Sequence, residues 1–209
     1  MPIEILAHRG FPQNDNSFDS LKNAFDNGFG IETDVRDSNG FLVISHDPPN
    51  KGEELLTLED LFKYYSDHNL KSTLALNIKS SGLEDLLLQL LTKYKIFNYF
   101  CFDLTIPDML NYDKKVKYYI RFSEVEPINS LIMQSDGIWV DLFKPENTNF
   151  SILDELATNN KSLAFVSPEL HGENYLKYWQ HIVKLHNLYP DLVIYICTDI
   201  PQKFKEILK

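Results

Sequence analysis

Residues 30–46 read GIETDVRDSNGFLVISH, and how they are read decides the fold. GIETDV (30–35) and FLVIS (41–45) are strand-like runs separated by a turn signal. Asn39-Gly40 within that turn is the strongest short hairpin signal, because a type I′ turn needs positive φ at both central residues. FLVIS is therefore the return arm of a hairpin and not a strand of the main sheet. Outward from it lie seven more strand-like runs: IEILAH (3–8), TLALNIK (73–79), YFCFDL (99–104), VKYYIRF (116–122), GIWVDL (137–142), LAFVS (163–167) and LVIYIC (192–197). With the hairpin arm set aside, eight strands remain, and helical patterns lie between most of them. This rhythm predicts an α/β fold, a compact (β/α)₈ TIM barrel with a small β-hairpin excursion after strand 2. A doubly wound open sheet is the alternative, but no Gly-rich phosphate loop follows the first strand.

The helices carry their own punctuation. Phe18, Leu21 and Phe25 fall on one face, and Gly28 closes that segment. Thr57 and Asp60 predict the start of a second helix through Leu61, Phe62 and Tyr65. Leu83, Leu86, Leu87, Leu90 and Leu91 repeat at helical spacing and predict core packing. The 209 residues show no linker, low-complexity tract or internal repeat beyond the β/α rhythm, so residues 1–209 are expected to form one domain. That length is close to the lower limit of roughly 200 residues for such a barrel.

Composition narrows the function classes. Fourteen Phe, eleven Tyr and two Trp are too much apolar surface for a solvated coil. Twenty basic against thirty acidic residues give a net charge of −10, which excludes bulk attraction to nucleic acid and stable association with an anionic membrane. Only three of the basic residues are Arg: Arg9, Arg36 and Arg121. Cys101 and Cys197 lie in apolar runs and read as buried free thiols in preference to a disulfide. The N-terminal residues lack a signal-peptide pattern, and no run approaches the roughly 18 apolar residues of a spanning helix. A cytoplasmic protein, monomer or homodimer, is the expectation.

In a barrel of this kind catalytic groups belong at the carboxyl ends of the strands. His8-Arg9-Gly10 closes the first strand, and Glu32 and Asp34 sit at i and i+2 on the second. Their side chains share a face, about 7 Å apart along the strand. His46-Asp47 follows the hairpin arm, and Asn77 and Lys79 end the next strand. Two carboxylates on one face need a proton, a hydrogen-bond donor or a cation between them. An oxygen-lined site of that kind suits Mg²⁺ or Ca²⁺ better than zinc. Two imidazoles beside fixed positive charge suit phosphoryl chemistry, with acid and base on opposite sides of phosphorus. A structural ion-pair network of Glu32 and Asp34 with Arg9 and Lys79 is the other reading of the same residues.

The segments HRG (8–10), NDNS (14–17), IETDV (31–35), the hairpin and VISHD (43–47), in register, resemble the opening of the glycerophosphodiester phosphodiesterase family, within the phospholipase C-like phosphodiesterase barrels. Asn77-Ile78-Lys79 stands at that family's E-x-K position. The resemblance implies a phosphoric diester hydrolase acting on a small-molecule glycerophosphodiester. His8 and His46 would be the acid–base pair, and Glu32, Asp34 and Asn77 the ligands of a divalent metal, Mg²⁺ or Ca²⁺. Arg9 and Lys79 would contact the phosphate. Asp15-Asn16-Ser17 replaces Glu-Asn-Thr and preserves the capping chemistry before the first helix. Asn77 replaces a ligand Glu, so the site loses one charge; Asp103 is a candidate helper.

Over the remaining residues the likeness is only in barrel rhythm. Arg121, Trp139 with Asp141, and Glu169 with His171 are read as a substrate rim, and Arg36 as a rim residue outside the ligand's reach. His68, His181 and His186 are expected to face solvent, and Asp199 receives no role. The alternatives are the same chemistry on a lysophospholipid, a sphingolipid-type or a glycan-linked glycerol phosphate diester, a catalytically silent barrel binding a phosphorylated ligand, and a sugar-phosphate isomerase.

Overall fold

A computed structural model of the chain describes residues 3–50, 52–112, 115–145, 150–159 and 161–209. Nine strands form among them: β1 (Glu4–His8), β2 (Gly30–Ser38), β3 (Phe41–Ile44), β4 (Leu74–Ile78), β5 (Tyr99–Phe102), β6 (Tyr119–Phe122), β7 (Gly137–Val140), β8 (Ser162–Val166) and β9 (Ile194–Thr198). Eight of them are parallel, in the order β5-β4-β2-β1-β9-β8-β7-β6. The two ends of that row meet at one parallel bridge between Cys101 and Tyr118, so the barrel closes on a thin seam. β3 pairs antiparallel with β2 from Ser38–Phe41 to Val35–Ile44. Asn39 has φ 51° and Gly40 φ 83°, the two positive values that the hairpin turn requires.

Helices α1 (Phe18–Asp26), α2 (Leu58–Asp67), α3 (Glu84–Lys93), α4 (Ile106–Tyr112), α5 (Ser151–Ala157), α6 (Leu176–Leu188) and α7 (Pro201–Ile207) alternate with the strands, while a 3₁₀ turn (Ser130–Met133) follows β6. The caps act as expected: the Ser17 hydroxyl accepts from the Ser20 N–H, and the Thr57 hydroxyl from the Asp60 N–H. Leu21, Ala24, Leu58, Leu61 and Phe62 are buried between helices and barrel. α3 differs from the expectation. Leu87 and Leu91 are buried, but Leu86 is 37% exposed, because a short helix on a barrel turns only one stripe inward. His181 also departs from a solvent-facing position, lying against the Phe150 ring at 5.0 Å and 3.3 Å from Asp154.

The barrel interior has its own core of Leu6, Ala75, Phe100, Phe102, Tyr119, Trp139, Ala164, Val166 and Cys197. Phe100 stacks on Tyr119 at 3.9 Å and Phe102 on Trp139 at 3.7 Å. Strand side chains alternate between faces, so the residue two positions beyond an inward one also points inward. Leu6 is thus followed by His8, Ala75 by Asn77, Tyr119 by Arg121, Trp139 by Asp141, and Cys197 by Asp199. The polar groups form a layer set directly on this packed floor. Cys101 and Cys197 are free and buried, and burial pushes both thiols up.

Candidate active site

A cavity of about 380 Å³ at the carboxyl end of the barrel is lined by His8, Glu32, Asn77, Lys79, Arg121 and Asp141, among others. The β1–α1 loop that frames it is sharply bent. Arg9, Asn14 and Asn16 all have positive φ, and Gly10 has φ 95°. A Cβ on Gly10 would lie 2.6 Å from the Ser20 carbonyl carbon, so glycine is required by space as well as by φ. This bend turns Arg9 back across the mouth, where its Nε lies 2.9 Å from Asp34 Oδ2.

Asp34 is fully buried and heavily engaged. Besides Arg9, the Asn16 amide donates to Oδ2 at 2.9 Å, and Lys79 Nζ lies 3.3 Å from Oδ1. Asn16 is fixed in turn by the Thr33 hydroxyl, which donates to its Oδ1 at 2.7 Å. The ion-pair network considered from the sequence therefore forms around Asp34. Glu32 stands outside it: burial pushes its carboxyl up to about 7, the nearby Asp34 charge adds to that, and the charges of His8, Arg9 and Lys79 oppose it.

His8 is held from one side. Its Nδ1 lies 2.7 Å from Asp199 Oδ1, and its Nε2 faces Glu32 Oε2 at 3.8 Å. Burial disfavours the imidazolium, but the Asp199 bond and the Glu32 and Asp199 charges outweigh it, so the His8 pKa is raised above its ordinary value. Asp199 is itself braced, since its N–H donates to Glu169 Oε1 at 3.3 Å. Glu169 also accepts from the Thr198 and Ser167 hydroxyls, and the Trp179 indole donates to Ser167. Glu169 is not among the residues lining the central cavity.

His46 lies elsewhere. It lines a neighbouring hollow of about 550 Å³ with Asn14, Asp47 and Glu53, and Arg9 borders both hollows. His46 is exposed, with Nδ1 2.9 Å from Asp47 Oδ1. Arg36 ties this loop to the site from outside, donating from Nε to the His46 carbonyl at 3.0 Å and from Nη1 to the Lys79 carbonyl at 3.2 Å.

On the far side of the cavity Arg121 bridges Asp103 at 3.1 Å and Asp141 at 2.6 Å, and Asp141 also meets His171 Nε2 at 2.7 Å. Burial raises the Asp103 carboxyl, against the pull of Arg121 and Lys79. Trp139, 4% exposed and stacked on Phe102, forms floor, not rim.

Three oxygens on β2 and β4 bear on a metal. Glu32 Oε2, Asp34 Oδ1 and Asn77 Oδ1 are buried and receive no hydrogen bond among the described residues. Asp34 and Asn77 are direct register partners on β2 and β4, and Glu32 precedes Asp34 on the same face. Three buried oxygens without a hydrogen bond, two of them from carboxylates and the Asp34 one ion-paired to Lys79, fit a hard divalent cation in kind. Among the described residues no group of three or more His, Cys, Asp or Glu side chains is arranged for a metal. A divalent cation here would therefore depend on the neutral Asn77 and would compete with Arg9 and Lys79 for Asp34.

The sequence does not show what two residues do: Asn16 holds Asp34, and Asp199 holds His8. Asn16 offers only its place in a turn, and Asp199 reaches His8 across 191 positions of chain, a distance that no local pattern spans.

No family model matches the chain, and no curated protein matches it in sequence. Solved structures match it in fold. A glycerophosphodiester phosphodiesterase from Parabacteroides distasonis superposes with TM-score 0.77 at 18% identity, covering 99% of this chain and 96% of its own. One from Thermotoga maritima gives 0.72 at 18%, covering 99% of both chains. An Oleispira antarctica phosphodiesterase in complex with the product sn-glycerol-3-phosphate gives 0.70 at 15%, covering 99% and 96%. Among the described residues no helix is long and apolar enough to cross a membrane. From end to end, this chain resembles the glycerophosphodiester phosphodiesterases in its barrel fold.

Proposed function

We propose that the chain hydrolyses a phosphodiester, with a glycerophosphodiester as substrate. The observation that carries this reading is His8, held at Nδ1 by Asp199 with its Nε2 turned into a cavity that also holds Glu32 and Lys79 and is bordered by Arg9. A proton on Nδ1 shared with Asp199 leaves Nε2 as the base. Nε2 takes the proton of the attacking hydroxyl, which belongs to water or to the substrate's own glycerol. Arg9 and Lys79 turn from Asp34 to the nonbridging phosphate oxygens and offset the charge that develops there. His46, at the edge of the adjoining hollow, supplies a proton to the departing alkoxide. Attack by water yields a phosphate monoester and an alcohol; attack by the neighbouring glycerol hydroxyl yields a cyclic phosphate first.

Glu32, Asp34 and Asn77 would hold Mg²⁺ or Ca²⁺, whose chemistry when bound is to polarise the phosphoryl group. The sn-glycerol-3-phosphate product bound by one structural neighbour supports the choice of substrate. The engagement of Asp34 by Arg9, Asn16 and Lys79, with a neutral Asn77, favours a second reading, a silent barrel that binds a phosphorylated ligand. Phosphorus resonance of a small glycerophosphodiester incubated with protein and each metal, then with chelator, decides between them. Metal-dependent appearance of monoester or cyclic phosphate is expected. No product with either metal would leave only the binding barrel.

A further inference from the structure

The polar chain Asp103–Arg121–Asp141–His171 lies on the cavity wall contributed by β5, β6, β7 and the turn after β8. It plays no part in the proton transfers proposed above. Its four side chains are all half-buried, between 11% and 25% exposed, so they are fixed yet reachable from the cavity. Resting on the phosphodiesterase reading, we propose that this chain is the subsite for the alcohol that phosphorus carries, and that it selects an uncharged polyhydroxylated alcohol over an ammonium headgroup or an acyl chain.

The occupied carboxylates argue first. The Arg121 guanidinium sits between two carboxylates, and both oxygens of Asp141 are taken, one by Arg121 and one by His171. An ammonium group drawn to these carboxylates would have to displace Arg121 or His171 from Asp141 and would also have to shed its water. The aromatic surfaces point the same way. A quaternary ammonium needs open ring faces. Trp139 and Phe102 cover one another at 3.7 Å, and the Phe143 ring, 39% exposed, already carries the Arg121 guanidinium at 5.5 Å and meets the His171 ring at 5.0 Å. An acyl chain fares no better, because Phe102, Trp139, Val166 and Cys197 pack together and close the floor.

What the wall does offer is donors beside acceptors in fixed positions. Arg121 Nε is buried and has no hydrogen-bond acceptor among the described residues; a Glu126 carboxylate oxygen lies 3.7 Å from it. Hydroxyl groups both donate and accept, so adjacent ones pair naturally with a carboxylate and a guanidinium held side by side. A second glycerol, a sugar or a cyclitol has such hydroxyls.

The test is equilibrium binding by calorimetry in the presence of chelator, with four probes: glycerophosphoglycerol, glycerophosphoinositol, glycerophosphocholine and monomeric lysophosphatidylcholine. The two polyol diesters should bind at least about tenfold more tightly than the other two, as expected where buried polar groups would otherwise lose their partners. In Arg121→Gln and Asp141→Asn proteins that ratio should fall toward one. Equal or tighter binding of the choline compounds, or no detectable binding of either polyol diester, overturns the subsite even if both variants fail to fold. An unchanged ratio in two folded variants overturns it too. Turnover of the same four compounds with Mg²⁺ and Ca²⁺ tests the underlying reading separately. Hydrolysis without polyol preference removes the subsite alone, whereas absence of any hydrolysis removes the enzyme.

Discussion

Asp199 Oδ1 lies 2.7 Å from His8 Nδ1, joining the end of the last strand to the end of the first. β1 and β9 are parallel neighbours, paired from Glu4–Tyr195 to Ala7–Thr198, so the next residue on each strand is delivered to the same place. The contact is thus a product of barrel closure. It fixes which imidazole nitrogen is free, and that choice is what a general base needs. His8→Ala is expected to lower kcat by about 10²–10⁴. Asp199→Asn should lower kcat as well, by up to about 10⁴-fold, because an amide no longer holds the proton on Nδ1 and the tautomer is lost with the orientation. Steady-state kinetics on a glycerophosphodiester, with KM near the wild-type value in Asp199→Asn, checks both. Full turnover in His8→Ala would remove His8 as the base, and full turnover in Asp199→Asn would remove Asp199 as its anchor.

Gly10 carries a prediction on stability. Its φ of 95°, and the 2.6 Å that would separate a Cβ at this position from the Ser20 backbone, leave room for hydrogen alone. Gly10→Ala should destabilise the fold by at least about 2 kcal/mol, from positive φ and overpacking together. Urea denaturation reads it directly, and a change below the usual spread for surface substitutions would contradict it.

Asp108 carries a pH dependence. It accepts from the Ser81 hydroxyl at 2.7 Å, the Thr105 hydroxyl at 2.7 Å and the Gly82 N–H at 3.3 Å, and so ties the loop after β4 to the start of α4. Burial raises its pKa, but these bonds outweigh it and hold the carboxyl below its ordinary 3.8. A depressed carboxylate adds stability that is present above the unfolded pKa and is lost as pH falls through the folded one. Asp108→Asn should therefore cost about 1–2 kcal/mol at pH 7, and that difference should shrink progressively below pH 3.8. Chemical denaturation of both proteins from pH 2 to pH 7 (roughly the window of carboxylate titration) measures it. A gap that stays constant into acid would show that the charge is not involved.

The barrel was legible because its signals are local. Strand runs, the Asn39-Gly40 turn and the Ser17 and Thr57 caps each act within a few residues, and all appear where the periodicity puts them. The polar layer was legible in part. Glu32 with Asp34, and Asn77 with Lys79, share a face because strand geometry has a period of two. Beyond that, contacts between strand ends decide what each side chain does. Asp34 is drawn to Arg9, Asn16 and Lys79 together, Glu169 braces Asp199, and Arg121 joins Asp103 to Asp141 across three successive strand ends. No run of sequence announces such partners. His181 shows the same limit, since helical spacing alone does not tell which flank of α6 meets Phe150.

Asn77 yields the last prediction, on metal affinity. Its Oδ1 is buried without a donor among the described residues, and it faces Asp34 across the β2–β4 register. A carboxylate there would add a third negative charge beside the fully buried Glu32 and Asp34. Without metal those charges repel one another in a poorly solvated place, and a proton or lost stability must relieve them. With a divalent cation the same charge strengthens binding, because affinity for Mg²⁺ or Ca²⁺ rises with the number of charged ligands. Asn77→Glu should therefore lower the melting temperature in chelator and raise the temperature shift that saturating Ca²⁺ or Mg²⁺ produces. An affinity gain of about tenfold corresponds to about 1.4 kcal/mol of extra stabilisation at fixed free metal. Differential scanning calorimetry of both proteins, with and without metal, reads this independently of turnover. If the metal-induced shift is the same in wild type and Asn77→Glu, residue 77 is not a ligand, and the cation site built on β2 and β4 must be abandoned.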